Sequence, residues 1–330
     1  SSSAASDVYK RQLHMGVNMV VGFALLFAAG IFQGSFGLGY KNYKPFSWAA
    51  FWGIYCLLCM VTVIGVAWIQ VPSLPEFIKY YKILPVFCGM LWGISAVGFS
   101  KAIDKIGMSM VYGISMGIST IVGSVMPMIL NSALPVEGEA VKLYIGLILT
   151  VIGVIIITVA GVRRDGGAKG SALGYLLSIL SGLGSGAMNI GFNGSEVLGY
   201  ELMALDYSQL AISAVKWLPV LVGGCIMGMI WCICELFIRK EWYTFKLKGS
   251  AVRSAKLFIV SMIWYAALLL YGLSIIILGE KYSSVGWILF NALALIISTA
   301  WGLKTGEWRN HSKKLLFIGC AVLIAAWMFI

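Results

Sequence analysis

Ten apolar stretches of about 20 residues, separated by short polar punctuation, fill most of this chain. About 20 apolar residues cross the hydrocarbon core of a bilayer as a helix. Inside lipid the backbone must satisfy its own hydrogen bonds, which a helix of that length does. The stretches lie at 17–38, 47–70, 84–102, 108–131, 141–160, 171–192, 210–238, 257–278, 284–303 and 313–330. The expected fold class is therefore an all-α membrane protein with ten transmembrane helices. The composition agrees, with 60% hydrophobic and 11% charged residues among 330 and a mean hydropathy of +0.92. No loop is long enough to fold as a domain outside the membrane, the longest on the basic side being 239–256. Function has to arise between helices.

The net charge of +11 is informative once each cation is assigned to a side. Loops after odd spans carry Lys41, Lys44, Lys101, Lys105, Arg163, Arg164, Lys169, Arg239, Lys240, Lys246, Lys248, Arg253, Lys256, Lys304, Arg309, Lys313 and Lys314, which is 17 of the 24 Lys and Arg. The other side holds Lys10, Arg11, Lys79, Lys82, Lys142 and Lys281, and Lys216 lies within the seventh span. Cytoplasmic loops carry the cationic excess, so both termini are expected on the outer, periplasmic side of a bacterial inner membrane. The basic balance is thus accounted for by insertion and anionic lipid, and no basic stretch forms a module for nucleic acid.

All seven cysteines fall within spans and behave there as small apolar residues. The Cys56-x-x-Cys59 spacing lacks the second ligand pair a zinc site needs. Residues 1–14 are Ser-rich and polar ahead of Met15, and are expected to be a non-native or disordered tail.

Short echoes divide the rest into two halves, 15–160 and 171–330. Gly98-Phe99-Ser100 near the end of span three, with Ser109 eleven residues after Gly98, returns as Gly272-Leu273-Ser274 and Ser283. Ile118-Ser119-Thr120-x-x-Gly123 returns as Ile297-Ser298-Thr299-x-x-Gly302. Span three thus pairs with eight and four with nine, a five-plus-five repeat. Since five is odd, the second copy crosses in the opposite sense, and an inverted repeat places a substrate site near the midplane between the halves. The 39 glycines fit this plan. Gly30-x-x-x-Gly34, Gly89-x-x-x-Gly93, Gly113-x-x-x-Gly117, Gly182-x-x-x-Gly186 and Gly224-x-x-x-Gly228 each give one helix face on which backbones approach closely. Pro127 and Pro219 are candidates for broken backbone bonding or for helix ends.

Several chemistries lack their residues. There is no phosphate-binding loop, and Gly182-x-Gly184-x-Gly186 lacks the strand and spacing of a nucleotide site, so no cofactor is expected. His14 and His311 both lie outside the spans, and no span carries two carboxylates spaced for acid–base work, which argues against an intramembrane enzyme. Two ionisable residues do lie within a span. Glu235 stands four residues before Arg239 and is expected to pair along the helix. Lys216 is either an anchor at the outer interface, beside Trp217, or a site residue that meets substrate oxygen or a proton.

Uncharged polar and aromatic side chains within spans make up the remaining kit: Gln33, Trp92, Ser95, Asn189, Asn193, Trp264, Tyr265, Tyr271, Trp287 and Asn291. Amides and hydroxyls can bond sugar hydroxyls while aromatic faces cover the apolar side of a pyranose. Each also has a packing role open to it, the rings as interface residues and the amides as bonds between helices. The residues expected to bind substrate are Gln33, Trp92, Ser95, Asn189, Asn193, Lys216, Tyr265 and Asn291.

Leu84-Pro85-Val86-Phe87, Leu91-Trp92-Gly93-Ile94, Ile106-Gly107-Met108-Ser109-Met110, Ser185-Gly186-Ala187-Met188-Asn189, Trp264-Tyr265 and Glu307-Trp308-Arg309-Asn310 together resemble the L-rhamnose/proton symporter family, in the same order across both halves, from about residue 17 to 330. That resemblance implies membership of the drug/metabolite transporter superfamily, ten helices in a five-plus-five inverted repeat, and proton-linked sugar uptake, with protons as coupling ion and the bilayer as partner. It also implies two asparagines in span three, where this chain has Ala96 and Gly98, and a glutamine in span eight, where it has Ala267. Loss of those amides weakens hydroxyl recognition, and the cation at Lys216 favours a uronate or another anionic metabolite. The reading is a secondary active transporter of a small sugar, L-rhamnose or a related metabolite, working by alternating access. The alternatives are an exporter or facilitator of the same superfamily, and a membrane sensor or assembly subunit that translocates nothing.

Overall fold

The computed structural model describes residues 2–40, 44–130, 137–167, 170–279 and 282–329, and the regular elements among them are helices. They run α1 Ser2–Ser35, α2 Trp48–Gln70, α3 Ile83–Ile106, α4 Met108–Leu130, α5 Glu137–Arg164, α6 Ala172–Asn193, α7 Glu196–Ala204, α8 Gln209–Arg239, α9 Ser250–Leu278, α10 Ser283–Lys304 and α11 Lys314–Ala326, with short 3-10 turns at Phe36–Tyr40, Leu74–Tyr80 and Glu241–Lys246. Among the described residues, 9 helical segments are long and apolar enough to cross a membrane. Of the tail expected over 1–14, residues 2–14 have only their backbone described, as the start of α1, and the side chains of Lys10, Arg11, Lys41, Lys169 and Lys281 fall outside the described residues.

The helix ends follow from local chemistry. Ser47, Ser171 and Ser208 precede α2, α6 and α8, and each hydroxyl accepts from the backbone N–H three residues on at 3.2 Å, which satisfies a donor the first turn leaves open. Three differences from the sequence reading are informative. The eighth span begins at Ser250, seven residues before the expected 257, because the turn carrying Arg253 and Lys256 is already helical. After Asn193 the chain breaks and re-forms as the nine-residue α7, in a stretch expected to be loop. The last helix, α11, is 13 residues long, shorter than the 313–330 span. Pro127 and Pro219 both lie inside continuous helices.

Packing pairs helices from opposite halves. α3 and α4 pack on α6, while α9 and α10 pack on α1; α3 packs on α8, and α9 on α2. Numbering the spans one to ten and adding five to each maps these pairs onto one another, while α2 with α8, α4 with α10 and α5 with α11 map onto themselves. A five-plus-five repeat requires this exchange. The paired connections also share a turn. Gly107 after α3 has φ 86 and ψ 153, and Gly279 after α9 has φ 98 and ψ 150; each N–H returns to the carbonyl four residues back, at 2.9 and 2.8 Å. Both lie in positive-φ territory that only glycine enters freely.

The glycine faces are crossing points. A Cβ added at Gly89 or Gly93 would strike the backbone carbonyls of Val220 or Gly224 on α8, so α3 and α8 touch main chain to main chain. Gly182 and Gly186 meet Ile118 and Val122 of α4, and Gly30 and Gly34 meet Leu293 and Ile297 of α10. Close approach of this kind supplies dispersion and lets hydroxyls reach across: Ser213 Oγ donates to the Leu269 carbonyl at 2.8 Å, Ser284 Oγ to Ser124 at 2.7 Å and Ser274 Oγ to Gly22 at 2.8 Å.

Candidate functional site

Asn189, on the glycine-rich face of α6, is fully buried. Its Nδ2 donates to the Gly123 carbonyl of α4 at 2.7 Å, and its Oδ1 accepts from the Tyr271 hydroxyl of α9 at 2.8 Å. The same hydroxyl stands 3.0 Å from the Ser283 carbonyl at the start of α10, and Trp287 Nε1 donates to the Ser119 carbonyl at 3.0 Å. Four helices thus meet through one amide, one phenol and one indole. Rings fill the space around them: Phe192 and Trp217 have centroids 4.6 Å apart, and Tyr271 lies 5.3 Å from Trp287.

Lys216 borders this cluster. It is 2% exposed, its Nζ lies 4.6 Å from the centroid of the Phe192 ring, and its methylenes run beside Gly199 of α7. The ammonium is therefore covered by protein and does not project from the surface of the bundle. Asn193, Asn291 and Ser95 direct their donors to backbone on their own helices, at the carbonyls of Asn189 (2.6 Å), Trp287 (3.0 Å) and Trp92 (2.8 Å).

Gln33 and Tyr265 differ from these. Gln33 Oε1 and the Tyr265 hydroxyl are buried with no hydrogen-bond partner among the described residues. Gln33 continues the stripe Gly22, Leu26, Ala29, in which Leu26 and Ala29 are buried, so it faces the interior. Antiparallel register sets its depth: α1 meets α9 at Gly22 against Leu278 and at Gly39 against Val260, which places Gln33 level with the Trp264–Ala267 turn. Trp92 of α3 stacks on Trp264 at that level, centroids 5.2 Å apart and planes at 12°. Two unanswered oxygens and a pair of aromatic faces on α1, α3 and α9 thus lie in one layer. An unpaired buried polar group costs about 1–3 kcal/mol; Gln33 and Tyr265 keep hydrogen-bonding capacity that the Asn189 amide has spent, while beside that amide Trp217 Nε1 and Ser283 Oγ are also buried without a partner among the described residues. Sequence reasoning chose both sets alike because residue type does not reveal which donors are occupied.

Ion pairs tie the basic end. Glu235 Oε1 pairs with Arg239 at 2.9 Å, as their spacing predicts, and its Oε2 also pairs with Lys101 of α3 at 3.0 Å. Lys101 was legible in the sequence only as a loop cation. Arg164 at the end of α5 pairs with Glu307 at 3.0 Å and Asp165 at 2.9 Å, and lies over the Trp308 ring at 5.0 Å. Burial raises the Asp165 carboxyl, but hydrogen bonds from Arg164 and Ser109 outweigh it and hold the group below its ordinary 3.8. Glu307-Trp308 is thereby the dock for α5. Of the three positions without the expected amides, Ala267 is fully buried, Gly98 is half-buried beside Leu177, and Ala96 points out of the bundle.

Comparison with known proteins gives a consistent result. The profile of the L-rhamnose-proton symport protein family matches residues 14–330. Among similar curated proteins, the L-rhamnose-proton symporter of Mannheimia succiniciproducens is 26% identical over 94% of this chain and 97% of its own. Those of Escherichia coli and Klebsiella pneumoniae are 27% and 28% identical, each over 87% of this chain and 90% of their own. A solved crystal structure aligns with a TM-score of 0.59 over 95% of this chain and 96% of its own at 13% identity, which shows a shared fold.

Proposed function

This chain belongs to the L-rhamnose-proton symport protein family, and we propose that it is a secondary active transporter that carries L-rhamnose or a closely related small sugar across a bacterial inner membrane together with protons, by alternating access between its two halves. The basic ends of the helices then face the cytoplasm and both termini face outward. The supporting observation is the layer at Gln33, Trp92 and Tyr265, where a polyol with one apolar face would supply the missing hydrogen-bond partners and lie against the rings. In this reading Gln33, Trp92 and Tyr265 contact the sugar. Asn189, Asn193, Asn291 and Ser95 hold the bundle that surrounds it.

The test is uptake of labelled L-rhamnose into proteoliposomes under an inward proton gradient, with and without a protonophore. Accumulation that collapses with the protonophore is expected. Equilibration indifferent to the gradient identifies a facilitator, and no uptake beside a working rhamnose carrier moves the substrate elsewhere, to be sought by thermal-shift screening of sugars and sugar acids.

A further inference from the structure

A cleft of about 370 Å³ opens between the end of α1 and the start of α9, on the basic side of the Gln33 layer, which its inner end at Ser35 and Ile263 adjoins. Leu38 and Gly39 form one wall; Arg253, Lys256, Val260 and Ile263 form the other. None of its lining residues is acidic. The steps of three, four and three from Arg253 to Ile263 put these four on one face of α9. Going along that face, two cations are followed by apolar side chains over ten residues, or about 15 Å at 1.5 Å per residue.

The cationic end is held in place. Arg253 Nη2 donates to the Gly39 carbonyl at 3.2 Å, and its guanidinium lies 5.5 Å from the Phe51 ring centroid. Gly39 permits that approach, since a Cβ there would meet the Val260 side chain. A further cation flanks the site: Lys304 Nζ is 4.8 Å from the Trp301 ring centroid, and Trp301 Nε1 donates at 2.9 Å to Ser35 Oγ, which lines the cleft. Leu38, on the opposite wall, is 37% exposed.

We propose that this cleft binds an anionic phospholipid of the cytoplasmic leaflet, its phosphate at Arg253 and Lys256 and one acyl chain along Leu38, Val260 and Ile263. Charge order and helix direction both favour a lipid over a soluble anion. The cations stand where the basic loops place the headgroups, and the apolar wall runs from them toward the bilayer centre. A planar guanidinium suits phosphate oxygens, and a basic pocket between helices on the cytoplasmic side matches an acidic headgroup. The inference is independent of which solute is carried.

Native mass spectrometry of the full chain, delipidated and titrated with phosphatidylglycerol or phosphatidylcholine, tests it. The wild type is expected to retain phosphatidylglycerol adducts in preference to phosphatidylcholine. Arg253→Ala/Lys256→Ala is expected to bind phosphatidylglycerol about 30-fold more weakly, at roughly fivefold per cation, while Lys313→Ala/Lys314→Ala, with the same change in charge, behaves as the wild type. Lys256 is exposed, so Lys256→Ala alone keeps the test in reach if the double variant fails to fold, with an expected loss of about fivefold. Equal retention of the two lipids, equal binding by the Lys313/Lys314 and Arg253/Lys256 variants, or displacement of phosphatidylglycerol by millimolar inorganic phosphate would each overturn the proposal.

Discussion

Trp92 and Trp264 stack with their rings 12° from parallel and their centroids 5.2 Å apart, joining α3 to α9, the two helices that the Gly98 and Gly272 sequence echoes pair. The stack lies level with Gln33 and Tyr265, whose oxygens have no partner among the described residues, so a sugar bound as proposed would meet an aromatic face whose other side is already supported.

That arrangement sets the first prediction. Trp92→Phe keeps a ring and is expected to transport almost as the wild type does, whereas Trp92→Ala raises the half-saturation concentration roughly two- to tenfold, the range given by an aromatic contact of about 0.5–1.5 kcal/mol. Uptake kinetics in proteoliposomes measure this. An alanine variant with unchanged kinetics removes the ring from the site.

Gln33 and Tyr265 should separate stability from transport. Because their oxygens are unpaired in this state, Gln33→Leu and Tyr265→Phe are expected to leave the melting temperature unchanged or raise it, while uptake falls about tenfold, the value of one hydrogen bond of roughly 1.4 kcal/mol. A parallel loss of melting temperature and uptake would instead mark them as structural.

The opposite pattern is expected at the Asn189 network. Tyr271→Phe strands the Asn189 oxygen and should destabilise the protein by about 1–3 kcal/mol, read as a lower melting temperature, with the sugar preference of the remaining folded protein intact. A changed order of preference among sugars would place Tyr271 and Asn189 at the substrate.

Lys216→Met tests whether the buried cation selects an anionic solute. Its methylenes pack at α7 and its ammonium on Phe192, so the variant is expected to lose stability and to keep the wild-type ratio of rhamnose to sugar-acid binding, measured by thermal shift. A selective loss of sugar-acid binding would support the uronate reading.

The Arg164, Asp165 and Glu307 cluster carries a pH dependence. Asp165 is held below its ordinary 3.8 in the folded protein, so its ionised form stabilises the fold at neutral pH, and that stabilisation is lost as pH falls from about 4 through the lower folded value. Both acids are partly exposed, which keeps each pair to about 0–1 kcal/mol. The hydrogen-exchange protection factor in the turn after α5, taken relative to the intrinsic rate at each pH, should fall below about pH 4 in the wild type and change less in Asp165→Asn.

Hydropathy and charge determined much of this protein without coordinates. Apolar stretches of spanning length make helices because lipid offers the backbone no other partner, and most of the expected ends lie within a few residues of the observed ones. The Gly98 and Gly272 echoes marked helix pairs whose following turns share one geometry, and the spacing of Glu235 and Arg239 gave their ion pair. What the sequence could not rank was its own polar residues. Asn189 and Gln33 look equally suited to a sugar, yet one amide is consumed by Gly123 and Tyr271 while the other keeps a bare oxygen. Lys216 could be read either as an anchor or as a site residue, and only the structure shows its ammonium covered by Phe192; Lys101 gave no sign of its partner 134 residues away. Periodicity reports which face of a helix is apolar, a property of the helix alone. Which donor is occupied depends on what another helix brings within about 3 Å, and only tertiary packing decides that.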